Sequence, residues 1–97
     1  MKTVKYNNLD YELVKEYKDG FDVDEFNEAI RETDYFNEFD YIFGDYSYGK
    51  LRLKGFYDSK NKKVKKINDI KDLDNYIKTF CSYECKYFLL KRPKNEK

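Results

Sequence analysis

The spacing of apolar side chains changes period several times along the chain, and each change predicts an element. Val4 and Tyr6 alternate with polar neighbours and begin a first strand. Asn7, Asn8 and Asp10 are turn formers. Tyr11 to Tyr17 reads as a second strand, with Tyr11, Leu13, Lys15 and Tyr17 on one face and Val14 on the other. Asp19-Gly20 ends it. The period then lengthens. Val23, Phe26, Ala29 and Ile30 recur at helical spacing behind Asp22, an N-cap residue with Glu25 three positions on. Glu25, Glu28, Arg31 and Glu32 are expected to face water.

From Phe39 to Tyr57 the period returns to two, around a turn near Ser47-Tyr48-Gly49. A two-residue Tyr48-Gly49 loop pairs Tyr46 with Leu51, Asp45 with Arg52, Gly44 with Leu53, Phe43 with Lys54 and Tyr41 with Phe56. One face then carries Ile42, Tyr46, Leu51 and Leu53 and is expected to be the core face. The other carries Tyr41, Phe43, Asp45, Arg52, Lys54 and Phe56 and is expected to look outward. A one-residue slip would exchange those roles for one strand. Residues 58–63 form a polar turn, and Val64 to Ile67 reads as a short lysine-flanked edge strand. Asn68 or Asp69 caps a second helix with Ile70, Leu73, Ile77 and Phe80 along one stripe. Tyr87-Phe88-Leu89-Leu90 is a continuous apolar run, which fits a central strand covered on both faces.

The fold expected is a single α+β domain over residues 1–92, followed by a frayed tail from Pro93 to Lys97. Its sheet is mostly antiparallel, with about four to six strands covered by two helices, in the order β-β-α-β-β-(β)-α-β. Composition agrees with a folded chain. Leu, Ile, Val and Phe make up 24 of the 97 residues, and nineteen Tyr and Phe add bulk to a small core. No apolar run approaches a membrane span, and MKTVKYNNLD has no apolar signal region, so the expected location is cytoplasmic. The chain has no histidine, which removes mechanisms that depend on one, and no cofactor is expected.

Charge is unevenly distributed. Residues 1–49 hold 5 basic and 13 acidic side chains, and residues 50–97 hold 15 basic and 6 acidic ones. Two halves of opposite sign either neutralise each other internally or present charged surfaces to a partner. Lys outnumbers Arg 17 to 3, a bias that an AT-rich genome produces by itself.

The candidate chemistry is thin. Cys81 and Cys85 are four residues apart, between the second helix and the last strand. Without His they fill only half of a zinc site. They read as two buried thiols, with a redox pair as the alternative. Asp40, Asp45, Tyr48 and Arg52 are placed near one hairpin end, where a carboxylate beside an Arg makes a poor general base. An Asp45–Arg52 pair that fixes hairpin register is the simpler reading. The face with Tyr41, Phe43 and Phe56 beside Arg52 and Lys54 suits stacking of unpaired bases, widened by Lys60, Lys62, Lys63, Lys65 and Lys66. The near-neutral balance and the acidic helix oppose that reading.

The segments YELVKEYKDGFD, FDYIFGDYSYGKLRLKGFYD and YIKTFCSYECKYFLLKR resemble the YutD-like family of small bacterial proteins, in the same order over most of residues 10–92. The family pattern has Trp-Gly where this chain has Tyr46-Ser47. The resemblance points to Asp40, Tyr41, Gly44, Asp45, Tyr48, Leu51, Arg52, Leu53, Gly55 and Phe56, and to Cys81 and Cys85. It implies a bacterial cytosolic α+β domain and no reaction. The function expected is a non-enzymatic binding module. It docks a protein partner, or a second copy of itself, through Tyr41, Phe43, Asp45, Tyr48, Arg52, Lys54 and Phe56. RNA or single-stranded nucleic acid is the alternative on that face, and a small redox protein using Cys81 and Cys85 the second alternative.

Overall fold

A computed structural model describes residues 2–6, 9–18, 20–30, 35–47, 49–80 and 85–93. Five strands form one antiparallel sheet: β1 (Thr3–Tyr6), β2 (Leu9–Tyr17), β3 (Tyr41–Ser47), β4 (Lys50–Phe56) and β5 (Tyr87–Lys91), in the spatial order β1-β2-β5-β3-β4. Helix α1 spans Val23–Ile30 and helix α2 spans Leu73–Phe80. Single 3-10 turns lie at Tyr35–Glu38, Lys66–Asn68 and Ile70–Asp72. The α+β class and the element order are as expected. Val64 to Ile67 is a correction. It forms no strand, because the Asn68 side chain accepts from Lys65 N–H at 2.7 Å and curls the segment into a turn.

The last strand is central, between β2 and β3, and its apolar run is buried on both faces. Phe88 and Leu90 join Val4, Tyr6, Tyr11 and Ile42 against Phe26 and Ile30 of α1. Leu89 joins Phe43, Phe56 and Leu73 beneath α2. Asp22 caps α1, its Oδ1 accepting from Asp24 N–H at 3.0 Å and Glu25 N–H at 3.1 Å. Only Phe26 and Ile30 of the expected stripe are buried. Val23 and Ala29 are exposed, since the helix is just two turns long and rests on one side.

The β3–β4 register matches the expected pairing at every position, from Tyr41 opposite Phe56 to Ser47 opposite Lys50. Gly49 takes φ +76°, which the tight turn requires and a side chain disfavours. Strand β2 departs from simple alternation. Leu13 pairs with Leu90 and Lys15 with Leu89, so Val14 is an extra residue, a β-bulge. Tyr11 and Leu13 pack on the α1 side. Beyond the bulge Lys15 reaches Asp74 of α2 at 3.7 Å and Tyr17 stacks on Tyr87 at 5.4 Å.

Candidate functional site

The hairpin β3–β4 places the residues singled out in the sequence. Because successive strand residues point to opposite faces, Leu51 and Leu53 of β4 pack toward α1 while Arg52, Lys54 and Phe56 lie on the α2 side. The expectation that this second face is open to solvent is corrected by α2. Phe43 and Phe56 are each 1% exposed, packed edge-to-face with Tyr76 at 5.7 and 5.6 Å. Tyr41 is half-buried in the same cluster. The reason is apolar area: a face with Phe43, Phe56 and Leu89 needs a cover, and the stripe of Leu73, Tyr76 and Ile77 supplies one. With Phe43 and Phe56 enclosed, this face offers no aromatic platform for nucleic-acid bases.

The charged members of that face sit at the margin of α2. Asp45 is 2% exposed and accepts two hydrogen bonds from Arg52, Nε to Oδ1 at 3.2 Å and Nη2 to Oδ2 at 2.8 Å. These bonds hold the Arg52 guanidinium above even its usual high pKa. The Arg52 side chain is still 46% exposed. Lys54 runs its stem along the aromatics, with its ammonium 5.2 Å from the Phe56 ring and 5.6 Å from Tyr76, and burial lowers its pKa. Asp40 is not part of this group. It lies beyond the other end of β3, where its Oδ2 accepts from Asp58 N–H at 2.7 Å and Asn61 Nδ2 at 3.0 Å. Tyr48 falls outside the described residues.

Asp40 belongs instead to a structure the sequence reading treated as a simple turn. Residues 58–68 contain five lysines and one aspartate. Their backbone is tied down by side chains: Asp58 Oδ1 accepts from Lys60 N–H at 2.9 Å, and Asn61 Oδ1 from Lys63 N–H at 2.8 Å. The Ser59 hydroxyl donates to Asp69, whose carboxyl is held below the usual carboxylate range by that bond. Tyr57 hydroxyl donates to Glu38 at 3.0 Å. Lys63 pairs with Glu38 at 3.7 Å, whereas Lys60, Lys62, Lys65 and Lys66 have no ion-pair partner among the described residues. Ile67, 72% exposed, stands beside a groove of about 410 Å³ formed with Phe56, Asp72, Asn75, Tyr76 and Thr79. The sequence signal for these local bonds was available in Asp58, Asn61 and Asn68, set among the lysines.

Cys85 is half-buried and disulfide-bonded, which corrects the reading of a free buried thiol. Cys81, the only other cysteine of the chain, lies outside the described residues. Among the described residues, no helix is long and apolar enough to cross a membrane, and no group of three or more Asp, Glu or Cys is placed to hold a metal ion.

Known proteins resemble this chain over most of its length. A family model described as "Putative antitoxin YutD-like" matches residues 5–91. This chain belongs to the YutD-like family. A protein of Bacillus subtilis (strain 168) named "Putative antitoxin YutD" is 47% identical over 85 residues, which cover 88% of this chain and 91% of that protein. The solution NMR structure of protein yutD from B. subtilis is similar to the present fold with a TM-score of 0.79 and 41% sequence identity. The match covers 100% of this chain and 86% of that one. In this member of the family the fold is an antiparallel five-stranded sheet between two short helices.

Proposed function

We propose that this chain is a non-enzymatic protein-binding module of antitoxin type, which neutralises a partner protein by covering part of its surface. The family description supplies the word antitoxin. The observation that carries the reading is the cross-linked lysine loop of residues 58–68. Its backbone is ordered before any partner arrives, so docking loses less conformational entropy there than on a floppy tail. Its free lysines favour an acidic partner surface, and exposed Ile67 gives that contact an apolar centre. The docking surface is thus the outer flank of the hairpin, Lys50, Arg52 and Lys54 together with the loop, and the enclosed aromatics support it from beneath.

The test is capture from the cytosol of the source bacterium on immobilised protein, with nuclease present. The wild type should retain a protein that Lys62→Glu/Lys65→Glu/Lys66→Glu releases and that Lys5→Glu, on the far edge strand, still holds. Expressed alone, the captured protein should slow growth, and co-expression with this chain should restore it. Equal retention by the triple variant, loss of the partner with nuclease, or a partner with no effect on growth would each overturn the proposal. The disulfide at Cys85 favours a second reading, redox control of that docking. Reduction, or Cys85→Ser, should then change partner affinity while the fold is retained, and an unchanged affinity removes it.

A further inference from the structure

Strand β4 forms one border of the sheet. Along a strand the N–H and C=O groups of successive residues point alternately to the two sides. Tyr46 N–H donates to Lys86 C=O and Arg92 N–H donates to Asp40 C=O, so the even-numbered residues of β3 face β5. Odd-numbered Tyr41, Phe43 and Asp45 therefore face β4, and they lie opposite Phe56, Lys54 and Arg52. That leaves the N–H and C=O of Leu51, Leu53 and Gly55 directed away from the sheet. Tyr57, two residues on, confirms the direction. Its N–H donates to Asn68 C=O at 2.7 Å, and its C=O accepts from Ile70 N–H at 2.9 Å, forming a single parallel bridge with the chain's own return segment. Beyond that bridge no backbone group among the described residues pairs with the outer side of β4.

This border is a groove. Tyr35, Phe36, Phe39, Leu53, Lys54, Gly55 and Asn68 enclose about 210 Å³, room for one side chain and too little for a cofactor. The Phe39 ring packs on Gly55, where an added Cβ would come within 2.2 Å of it, so Gly55 is buried and the open length of the border runs along Leu51 and Leu53. Tyr35 is exposed at the rim. On the α1 side of the border stand half-buried Leu51 and Leu53, and on the α2 side Lys50, Arg52 and Lys54.

We infer that the outer side of β4 accepts an added strand from the partner protein: an extended segment in which acidic residues alternate with aliphatic ones. The inference rests on the protein-binding reading above and names its mode. The segment's backbone extends the sheet beside the bridge at Tyr57, bonding Leu51 and Leu53. Its aliphatic side chains lie beside Leu51, Leu53 and Tyr35, and its carboxylates opposite Lys50, Arg52 and Lys54. A second copy of β4 is a poor occupant, because it would set these cations against themselves.

The probe is a seven-residue peptide of alternating glutamate and valine, with a lysine–valine peptide beside it, and the readout is amide hydrogen exchange. The glutamate peptide should slow exchange at Leu51 and Leu53 by about tenfold or more, leaving Arg52 and Lys54, already bonded to β3, unchanged. Leu53→Pro removes an outward N–H while sparing the β3 ladder, so it should abolish the effect. Where that variant does not fold, Lys50→Glu/Lys54→Glu should reverse the preference toward the lysine peptide. No slowing, equal slowing by both peptides, or slowing produced by raising protein concentration alone would overturn the inference. Failure here with partner capture still dependent on Lys62, Lys65 and Lys66 would remove the added strand and leave the binding module standing. Loss of that capture with the peptide effect intact would do the reverse.

Discussion

The two faces of this sheet are built by the same strands and closed in different ways. On the α1 side every inward position of β3, β5 and β1 is apolar or tyrosine, and the charges stay on the helix's outer surface. On the α2 side aromatic residues share the very strands that α2 covers with Asp45, Arg52 and Lys54. The helix meets the rings of Phe43 and Phe56, while the long cationic side chains extend past its flank into water. An aromatic-and-cation face is therefore a core with a charged border as readily as it is an open docking surface. Which of the two it becomes depends on whether another element carries a matching apolar stripe.

The largest effects test whether the faces are equal as cores. Phe88→Ala beneath α1 should cost about 3–5 kcal/mol in denaturant unfolding. Phe56→Ala beneath α2 should cost about 3 kcal/mol or more. A cost below about 0.5 kcal/mol at Phe56 would return that face to solvent and break the comparison. Next is Arg52→Ala, which strands the buried Asp45 carboxylate. A loss of about 1–3 kcal/mol is expected, with a smaller loss when Asp45→Asn is added in the double variant.

Titration sharpens the contrast from the α1 side. Burial pushes the Tyr11 hydroxyl up to about 12. A raised value in the folded state means that folding favours the protonated form. The resulting stability is complete below the ordinary tyrosine value of 10.0 and is lost as pH rises toward 12. Phenolate absorbance should show Tyr11 ionising last or only on unfolding, and ionisation near 10 would show that water reaches that core. The smallest effect belongs to Lys54→Gln, at most about 1 kcal/mol by thermal unfolding, because the stem still covers Phe56 and only the cation over two rings is lost.

Much of this was legible in the residues. Leu51 and Leu53 alternating with cations marked a strand with one buried face, and the four-residue apolar run at Tyr87 marked the central strand. The stripe of Ile70, Leu73 and Ile77 was also visible, yet its target was not. Local periodicity says that a helix has an apolar side and is silent on which sheet face receives it. The turn at residues 58–63 was legible too, but its anchor was not: Asp40 holds it from about twenty residues upstream, and no local pattern announces a bond of that span. Arg52 was placed correctly against Asp45 because cross-strand pairing is fixed once the turn length is known.

The bulge at Val14 governs how this chain tolerates changes in length. It absorbs one surplus residue between Leu13 and Lys15, so that Lys15 comes to lie opposite Leu89 instead of being carried round to Phe88 and the greasier interior. Withdrawing Val14 would let the ladder close evenly with no side chain turned over. Withdrawing any other residue from the middle of β2 would shorten the strand on one side of the kink and force the surplus to be found again, which makes this one position the natural slack in the weave.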